Sequence, residues 1–379
     1  MSEVDLQTLA VELQSLGVRT TGGAAAAETR RGGAGPSDAG FMWLDGSPVT
    51  VPVHAEYAIR SPYELRMHET GRAGTLFRDG AEVGRVHLHP RPRIYDLATA
   101  DGTPYWKIAL MHLDSLASTV FQRCVYWGTS EQCHFCAIGT SLKEGRTVPV
   151  KTPEMLAEVA EAAARLDGAK DVTLTTGSPN RKDRGASYMA RCAAAVRERS
   201  GLPVQVQIEP PDDFAWFAEL RSSGVESLGL HLESFDPAVL ARIAPGKAAQ
   251  GIPYYLSAWE AAVEVFGRGQ VSTYLILGLG EDPQTVFDGC RAAIERGVYP
   301  FVVPLRPSPG SILAHATPPD PAYVREVYEL VAPLLADANM LSQNTRAGCV
   351  RCQACSALSL FERAFGGGRN GAAPVPADA

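Results

Sequence analysis

From about residue 112, the chain alternates between short apolar runs and longer segments whose apolar residues recur at helical spacing. This alternation predicts parallel strands joined by right-handed helical crossovers. Six such units are fewer than the eight that close a barrel. We therefore expect an α/β fold built on a partial (β/α)6 TIM-like barrel. The predicted strands cover residues 118–121, 171–176, 204–208, 227–231, 271–277 and 301–305, and the predicted helices cover about 153–167, 185–199, 212–223, 253–267 and 283–297.

The segments around the barrel have different patterns. Before the barrel, the chain has apolar residues at helical spacing, then a segment rich in Gly and Ala, and then short strand-like runs. One more helical pattern follows the barrel. The predicted organisation is an N-terminal helix at 1–20, a flexible linker at 21–40, a β-rich module at 41–111, the barrel at 112–315, a C-terminal helix and cysteine-cluster extension at 316–365, and a disordered tail at 366–379.

Charge and hydropathy exclude several classes of partner. The formal net charge of −7 gives no basic footprint for nucleic acid or for an anionic membrane surface. The sequence has no apolar run of about 18 residues, which a membrane span would need. Its acidic first residues lack the basic and apolar regions of a secretion signal. We expect a cytoplasmic protein that acts on a small molecule, without nucleic acid or membrane.

Six of the eight cysteines form two tight groups. We call Cys124, Cys133 and Cys136 the first cysteine set, and Cys349, Cys352 and Cys355 the second cysteine set. In a reducing compartment such groups indicate metal sites rather than disulfides. The other two cysteines, Cys192 and Cys290, fall inside predicted helices, where we expect small buried apolar side chains.

The first cysteine set directly follows the first predicted barrel strand, so it should lie at the C-terminal ends of the strands, where reactive groups of barrels gather. Three thiolates can hold a four-iron cluster and leave its fourth iron without a protein ligand. Zinc is the alternative, because His134 could complete a tetrahedral Cys3His site. The spacing alone does not decide between the two.

The same loop resembles the signature of the radical S-adenosylmethionine (radical SAM) superfamily. Phe135 is the aromatic residue that precedes the last cysteine of that signature, although eight residues rather than three separate the first two cysteines. Thr175–Ser178 resembles the family's glycine-containing segment at the SAM amino group, without its usual acidic residue. Ile276–Glu281 resembles the end of the adenine-binding motif, with Tyr274 at a position expected to be glycine. The resemblance covers residues 118–310.

The resemblance implies a [4Fe–4S] cluster on the first cysteine set, with SAM on the open iron. Reductive cleavage of SAM would give a 5′-deoxyadenosyl radical that takes a hydrogen atom from a small substrate. An electron donor such as flavodoxin or ferredoxin would be needed. The cofactor-binding residues implied in this way are Phe135, Thr176, Gly177, His231, Glu233, Arg242, Ile276, Gly278 and Glu281.

Strand alternation points several polar side chains into the barrel. Glu233 suits the two ribose hydroxyls of SAM, or it forms a buried pair with His231. Gln207 and Glu209 suit a polar substrate, although Glu209 could equally be a solvated strand end.

Three cations follow later strands. Arg242 or Lys247 could clamp the SAM carboxylate, and for Lys247 an ordinary surface charge is the favoured interpretation. Arg306, between prolines, could bind a substrate carboxylate or belong to a structural turn. A small polar substrate, potentially carboxylate-bearing, would fit these side chains.

The second cysteine set suits a metal because thiols in one tight turn cannot meet disulfide geometry with one another. The alternatives are an auxiliary iron–sulfur cluster, a zinc ion, or a metal that only stabilises a tail folded over the bottom of the barrel. Without a fourth nearby cysteine, a non-cysteine group, a distant cysteine or an open iron would complete the site.

The overall pattern is similar to bacterial radical SAM proteins encoded beside nitrilases. Within that interpretation, sulfur insertion or methylthiolation that uses a second cluster is an alternative reaction. A zinc-binding barrel without redox chemistry, as a hydrolase or a binding module, is the alternative from another class.

Overall fold

The computed structural model describes residues 3–21, 30–34, 37–68 and 73–367. The strands of these residues are β1 (Arg19–Thr21), β2 (Ala39–Leu44), β3 (Ser47–Pro52), β4 (Tyr63–Met67), β5 (Ala73–Arg78), β6 (Ala81–Leu88), β7 (Leu110–His112), β8 (Ser115–Thr119), β9 (Asp171–Thr175), β10 (Val204–Gln207), β11 (Val225–Gly229), β12 (Val271–Leu277) and β13 (Val298–Pro304).

The helices connect and flank these strands. They are α1 (Glu3–Leu16), α2 (Tyr105–Ile108), α3 (Ile138–Lys143), α4 (Pro153–Asp167), α5 (Ala186–Ser200), α6 (Trp216–Ser222), α7 (Pro237–Ile243), α8 (Pro245–Ala248), α9 (Ile252–Phe266), α10 (Pro283–Glu295), α11 (Pro321–Asp337), α12 (Cys349–Cys352) and α13 (Leu358–Phe361). Short 3-10 turns lie at Glu56–Arg60, Arg93–Asp96, Ser342–Asn344 and Glu362–Phe365.

Helix starts follow from local chemistry. Thr152, Asp236, Asp282 and Asp320 each accept hydrogen bonds from backbone N–H groups of the first turn, and a proline follows each of them. A short polar cap followed by proline satisfies free N–H groups and presets the helical φ angle. This signal explains why α4, α7, α10 and α11 begin where they do.

The barrel sheet has seven strands in the order β13-β12-β11-β10-β9-β8-β7. Strands β8 to β13 run parallel, each beside the next in the chain, and β7 pairs antiparallel with β8 at one edge. The predicted partial barrel of six parallel strands is confirmed. Strand β7 was not predicted, because three residues are too few to produce a recognisable pattern.

A second sheet precedes the barrel, with the strand order β1-β4-β5-β6-β2-β3. Helix α1 packs against β3 and α11. Apolar side chains of α1, such as Leu9 and Leu13, belong to the same buried cluster as Val49 of β3 and Val331 of α11. The N-terminal sheet and the C-terminal helix therefore share one core, and they cover the same side of the barrel.

Part of the predicted flexible linker at 21–40 is ordered, and this corrects the expectation for those residues. Arg30 is 2% exposed, Ala34 donates its N–H to Thr119 Oγ1 over 2.7 Å, and Ser141 Oγ donates to the carbonyl of Gly32 over 2.9 Å. The Gly- and Ala-rich composition gave no sign of these contacts with the barrel. Residues 22–29 and 35–36 of that linker, and 368–379 of the predicted tail, lie outside the described residues. The other domain boundaries stay predictions.

The chain after α11 covers the N-terminal ends of the barrel strands. Gly348 N–H donates to Asp171 Oδ2 at the first residue of β9, over 2.7 Å. Gln270, just before β12, donates to the carbonyl of Asn344 over 3.0 Å. Thr50 of β3 donates its N–H to the carbonyl of Ala354 over 3.0 Å. The second cysteine set is thereby brought to the bottom of the barrel, opposite the first. No helix of the described residues has the length and hydropathy to cross a membrane.

Candidate active site between two cysteine sets

A single central cavity of about 410 Å³ runs through the barrel and reaches both cysteine sets. Its volume lies within the range of small-molecule sites. The predicted site residues that line it are Cys124, Cys133, Phe135, Cys136, Thr176, Gly177, Gln207, Glu209, His231, Glu233, Arg306, Cys349 and Cys355. Those that do not line it are Arg242, Ile276, Gly278, Glu281 and Cys352.

The loop that carries the first cysteine set is fixed to the segment after β9. Gly177 donates its N–H to the carbonyl of Phe121 over 3.0 Å, and Val125 donates to the carbonyl of Ser178 over 2.9 Å. A Cβ atom on Gly177 would collide with the carbonyl oxygen of Arg123. Glycine is therefore required here for close approach of two backbones. The predicted SAM-binding segment and the cysteine loop form one unit at the C-terminal ends of β8 and β9.

Burial controls the ionisation of the first cysteine set in the metal-free protein. It raises the pKa of Cys124 and Cys133, and it raises the pKa of Cys136 to about 12. Hydrogen bonds between the Cys124 sulfur and the backbone of Tyr126 and Ser178 have a smaller effect, which lowers the pKa of this thiol. Thiols in this environment stay protonated until a metal cation displaces the protons.

The donor set at this end of the cavity fits an iron–sulfur cluster. Iron–sulfur clusters take thiolate ligands and favour hydrogen bonds to the sulfurs, both of which this loop offers. His134, the fourth ligand of the zinc alternative, is not among the residues that line the cavity. In the described part of the chain, no three His, Cys, Asp or Glu side chains are grouped as ligands of one ion.

Glu233 and Lys247 form a buried ion pair beside the first cysteine set. Lys247 Nζ lies 2.6 Å from Glu233 Oε1 and donates to the carbonyl of His231 over 2.7 Å. Burial alone would lower the pKa of Lys247, but the Glu233 carboxylate outweighs it and raises the pKa. The interpretation of Lys247 as a surface charge is wrong, because the residue is 7% exposed. Glu233 also has a φ of 75°, a strained value that clusters at functional sites.

His231 offers a hydrogen-bond donor that lacks a partner. Its Nδ1 accepts the N–H of Tyr274 over 3.2 Å, so a neutral ring carries its proton on Nε2. That Nε2 is buried and has no protein partner in the described structure. Burial, with a smaller effect of the Lys247 charge, lowers the pKa of His231 to about 3. A neutral donor that faces the cavity suits a polar group of a ligand, such as a ribose hydroxyl.

Lowering the pH should destabilise the metal-free protein through His231. Its folded pKa of about 3 is below the ordinary 6.5, so between these values only the unfolded chain binds the proton. Stability therefore falls as the pH drops below 6.5, by about 2 kcal/mol at pH 5 relative to pH 8. Urea unfolding of wild type and His231→Gln at both pH values measures this loss. His231→Gln should lack this loss of stability, and the exposed control His315→Gln should show it. An equal pH dependence of stability in wild type and both variants would contradict the prediction.

The predicted substrate-binding residues have protein partners as well as cavity contacts. Glu209 accepts from Ser178 Oγ over 3.0 Å and from Gln250 Nε2 over 3.0 Å, so it is not a solvated strand end. Gln207 Nε2 donates to Cys349 Sγ over 3.2 Å. Arg306 Nη2 donates to the carbonyl of Thr50 over 3.1 Å, and the guanidinium still lines the cavity. Their roles toward a substrate stay predictions.

The predicted adenine-binding motif forms a tight turn outside the cavity lining. Both oxygens of Glu281 accept backbone N–H groups, from Gly278 and from Leu279, each over 2.7 Å. Arg242 donates to the carbonyl of Leu279 over 2.7 Å. The Arg242 guanidinium thus holds this turn, and its role toward the SAM carboxylate stays a prediction. Ile276 packs on the same apolar cluster as Phe135, so the motif adjoins the first cysteine set.

The second cysteine set is held by hydrogen bonds from the barrel lumen. Tyr274 forms a side-chain hydrogen bond with Cys349, and its ring stacks on His231 with centroids 4.3 Å apart. Cys352 is 1% exposed and donates to the carbonyl of His112 over 3.3 Å. Cys355 Sγ lies 3.3 Å from His112 Nε2. Tyr274 and His231 thus form a continuous stack from the second cysteine set toward Lys247 and Glu233.

The environment of Cys355 differs from that of its neighbours. Burial raises the pKa of Cys349 to about 12. Burial would also raise the pKa of Cys355, but the charge and hydrogen bond of His112, with the charge of Arg306, lower it to about 7. A thiol with this pKa is partly ionised at neutral pH and is the readiest metal ligand of the set.

Residues 128–293 match the family model of the Radical SAM superfamily. This segment of the chain is therefore similar to that superfamily. It is 30% identical to the bacteriochlorophyllide c C-7(1)-hydroxylase of Chlorobaculum limnaeum over 225 residues, 54% of this chain and 56% of that protein. The chain thus spans little more than half the length of this relative.

Solved radical SAM structures with low sequence identity are also similar to this chain. Methylornithine synthase is 18% identical, with a TM-score of 0.47 over 65% of this chain and 68% of that chain. A radical SAM methyltransferase from Sphaerobacter thermophilus is 15% identical, with a TM-score of 0.46 over 75% and 76% of the two chains. The similarity to proteins encoded beside nitrilases stays a prediction.

Members of that superfamily use a [4Fe–4S] cluster and SAM, so the match implies these cofactors for the matched segment. Such enzymes act on small molecules and need a reductant. The matched segment contains Cys133 and Cys136 but begins four residues after Cys124. Sequence patterns did not predict that His112 lines the cavity, and they marked Tyr274 only as a departure from a motif. Both approach the second cysteine set through contacts distant in the chain, which no local pattern reveals.

Proposed function

We propose that this chain is a radical SAM enzyme that binds its [4Fe–4S] cluster through Cys124, Cys133 and Cys136, and that it acts on a small polar substrate in the central cavity. When bound, a reduced cluster and SAM would supply a 5′-deoxyadenosyl radical by one-electron cleavage of the sulfonium C–S bond. The observation that carries the proposal is the single cavity that begins at the first cysteine set and continues into a polar lumen. Flavodoxin or ferredoxin would be the electron donor, in a reducing compartment such as the cytoplasm.

The residues around the first cysteine set would orient SAM. Thr176 and Gly177 adjoin the cysteine loop and suit its amino group. The Glu233 carboxylate and the free Nε2–H of His231 suit its ribose hydroxyls, because together they offer an acceptor and a donor. Lys247 holds the Glu233 carboxylate in place through their 2.6 Å ion pair. Ile276, Gly278 and Glu281 would shape the adjoining surface for adenine.

The substrate would lie deeper in the lumen, between the two cysteine sets. Gln207 and Glu209 contribute polar groups there, and Arg306 contributes a positive charge that suits a carboxylate. A small polar molecule, potentially carboxylate-bearing, is the substrate class that these side chains support.

We further propose that the second cysteine set holds an auxiliary iron–sulfur cluster. Cys349 and Cys355 line the same cavity as the first set, and Gln207 and Tyr274 both bond to the Cys349 sulfur. Hydrogen bonds to sulfur are typical of cluster ligands and tune their reduction potential. Because this cluster would face the substrate lumen, sulfur insertion or methylthiolation is a second candidate reaction.

Removing one first-set thiol should abolish SAM cleavage. The protein is reconstituted with iron and sulfide without oxygen, reduced in the presence of SAM, and assayed for 5′-deoxyadenosine. Wild type should form this product, and Cys133→Ala should not, because two thiolates cannot hold a cluster with one open iron. Cys192→Ala is the matched control, since it removes a buried thiol of α5 outside the cavity. A colourless wild type with stoichiometric zinc, or product from Cys133→Ala, would overturn the proposal.

Removing one second-set thiol should change the metal content without stopping SAM cleavage. Cys352→Ala should lose about four irons per chain, one four-iron cluster. Formation of 5′-deoxyadenosine should persist, because the first cysteine set is intact. Iron and acid-labile sulfide are measured against wild type and Cys192→Ala. Unchanged iron content would contradict the second cluster. Loss of sulfide from wild type during turnover, with sulfur in the product, would favour sulfur insertion over hydrogen abstraction alone.

A further inference from the structure

We propose that an exposed surface beside the first cysteine set is the docking site of a small acidic flavoprotein of the flavodoxin type, which delivers the electron for SAM cleavage. We call this surface, which contains Ile59, Arg60, Lys143 and Ile312, the mouth surface. The inference rests on the proposed function, because a redox partner is needed only if a cluster on the first cysteine set must be reduced. It adds the partner's binding site to that function.

The loop that follows β13 carries an exposed isoleucine next to the cysteine loop. Leu313 donates its N–H to the carbonyl of His134, the residue after Cys133, over 3.0 Å. Its neighbour Ile312 is 58% exposed. A protein that covers Ile312 would therefore lie directly beside the first cysteine set, which shortens the path for an electron.

A second exposed isoleucine adjoins the first. The 3-10 turn Glu56–Arg60 contacts the same loop, because His315 Nδ1 lies 3.0 Å from Glu56 Oε2. Residues three apart in a 3-10 turn lie on the same face, so Ile59 is beside Glu56. Ile59 is 71% exposed, and it and Ile312 are the two most exposed large apolar side chains of the described residues. Two such side chains on adjoining segments indicate a contact surface for another protein.

Helix α3 forms the third part of the mouth surface. A Cβ atom on Gly310 would lie 2.2 Å from Thr140 Oγ1, so the loop after β13 packs on this helix. Lys143 follows Thr140 by three residues, so it lies on the same helix face, and it is exposed. This face therefore presents a positive charge beside the loop that carries Ile312.

The charge of the mouth surface suits an acidic partner. Arg60, Lys143 and Arg123 of the cysteine loop are all exposed. The carboxylate of Glu144 in the same region already pairs with an arginine over 3.2 Å. The surface is thus more positive than the rest of a chain whose formal net charge is −7. A local patch of opposite charge steers an acidic partner to this place and fixes its orientation.

A flavin donor matches the apolar centre of this surface. The dimethylbenzene edge of the flavin ring is apolar, and a flavin that exchanges electrons between proteins must expose an edge of its ring. Contact of that edge with Ile59 and Ile312 would bring the flavin next to the cysteine loop. One electron would then pass from the reduced flavin to the cluster, so the flavin is oxidised by one electron and the cluster is reduced by one.

Assays with two electron donors test the mouth surface. Formation of 5′-deoxyadenosine from SAM by the reconstituted protein is measured once with dithionite and once with a reduced bacterial flavodoxin. Ile312→Glu and Lys143→Glu should each raise the KM for flavodoxin about tenfold, because each places a carboxylate against an acidic partner. Both variants should keep the wild-type rate with dithionite, which is too small to need a docking surface.

Leu330→Glu and Lys170→Glu are the matched controls. Leu330 is an exposed apolar side chain of α11 outside the mouth surface, and Lys170 is exposed just before β9, at the end of the barrel opposite the first cysteine set. Neither variant should alter the KM for flavodoxin. A similar rise in the controls would show that net charge, not this surface, is the cause, and it would overturn the docking site.

Direct binding separates this inference from the proposed function. Titration calorimetry of flavodoxin into the reconstituted protein should give a Kd about tenfold weaker for Ile312→Glu than for wild type. If wild type forms no 5′-deoxyadenosine with dithionite, the proposed function fails, and the binding result still decides the docking site. Equal affinity of the two proteins, or rates that fall equally with dithionite, would overturn the docking site and leave the proposed function intact.

Two other occupants of the mouth surface would also overturn the proposal. One outcome is that an acidic ferredoxin binds and the flavodoxin does not. The other is that wild type is a dimer in analytical ultracentrifugation and Ile312→Glu is a monomer, which would assign the surface to a second copy of this chain.

Discussion

Replacing Lys247 by methionine should lower the free energy of unfolding by about 3–5 kcal/mol, the usual effect of removing one partner of a buried ion pair. The variant leaves the Glu233 carboxylate, which is 6% exposed, without its cation. It also leaves the carbonyl of His231 without the donor that Lys247 provides over 2.7 Å. Urea unfolding of the metal-free protein at neutral pH under reducing conditions measures the change.

The double variant Glu233→Gln/Lys247→Met separates the charge effect from the packing effect. It has no uncompensated charge, so most of the lost stability should return. Arg291→Met is the matched control, because it breaks an exposed pair with Asp288 and should change stability by less than about 1 kcal/mol. A double variant as unstable as Lys247→Met would show that lost packing, not the isolated carboxylate, is the cause.

Replacing Asp171 by alanine should also cost about 3–5 kcal/mol and should loosen the second cysteine set. Asp171 is fully buried, it accepts the N–H of Gly348 over 2.7 Å, and it pairs with Arg351 between Cys349 and Cys352. Burial alone would lower the pKa of Arg351, but Asp171 and Asp114 raise it. Without Asp171, a largely buried guanidinium and a backbone N–H each lose a partner.

Two measurements follow the Asp171 variant. Unfolding in urea gives the stability, and the alkylation rate of Cys352 in the native metal-free protein reports local opening, because this thiol is 1% exposed in the wild type. Alkylation should be markedly faster in Asp171→Ala. The exposed control Asp288→Ala should alter neither quantity. A destabilised variant whose Cys352 reacts at the wild-type rate would contradict the idea that Asp171 anchors the turn.

The barrel was predictable because its signal is local and repeated. Buried parallel strands are continuous apolar runs, and the helices between them have clear caps, so pattern and structure agree for β9, β12, α4 and α11. The short helices α7 and α8 and the strand β7 were missed. Each spans seven residues or fewer, and tertiary contacts rather than periodicity determine them.

The site was predictable where it depends on strand ends and unpredictable where it depends on contacts across the chain. Cys124 could be assigned to the C-terminal end of a strand from sequence order alone. The burial of Lys247 could not be predicted in this way. It depends on the ion pair that Lys247 forms with Glu233, which follows the preceding strand. The approach of His112 to Cys355 joins residues 243 positions apart, and sequence patterns contain no signal at that range.

The hydrogen bonds of Gln14 have a consequence for synthesis on the ribosome. This buried residue of α1 donates to the carbonyl of Ala354 and accepts the N–H of Ala357, and the first of these contacts joins residues 340 positions apart. At the usual speed of translation, Ala354 is added roughly 20 to 70 s after Gln14. During that interval α1 has none of these partners, and the lower end of the barrel stays open. The apolar face of this helix is therefore exposed to aggregation until the last part of the chain has been synthesised.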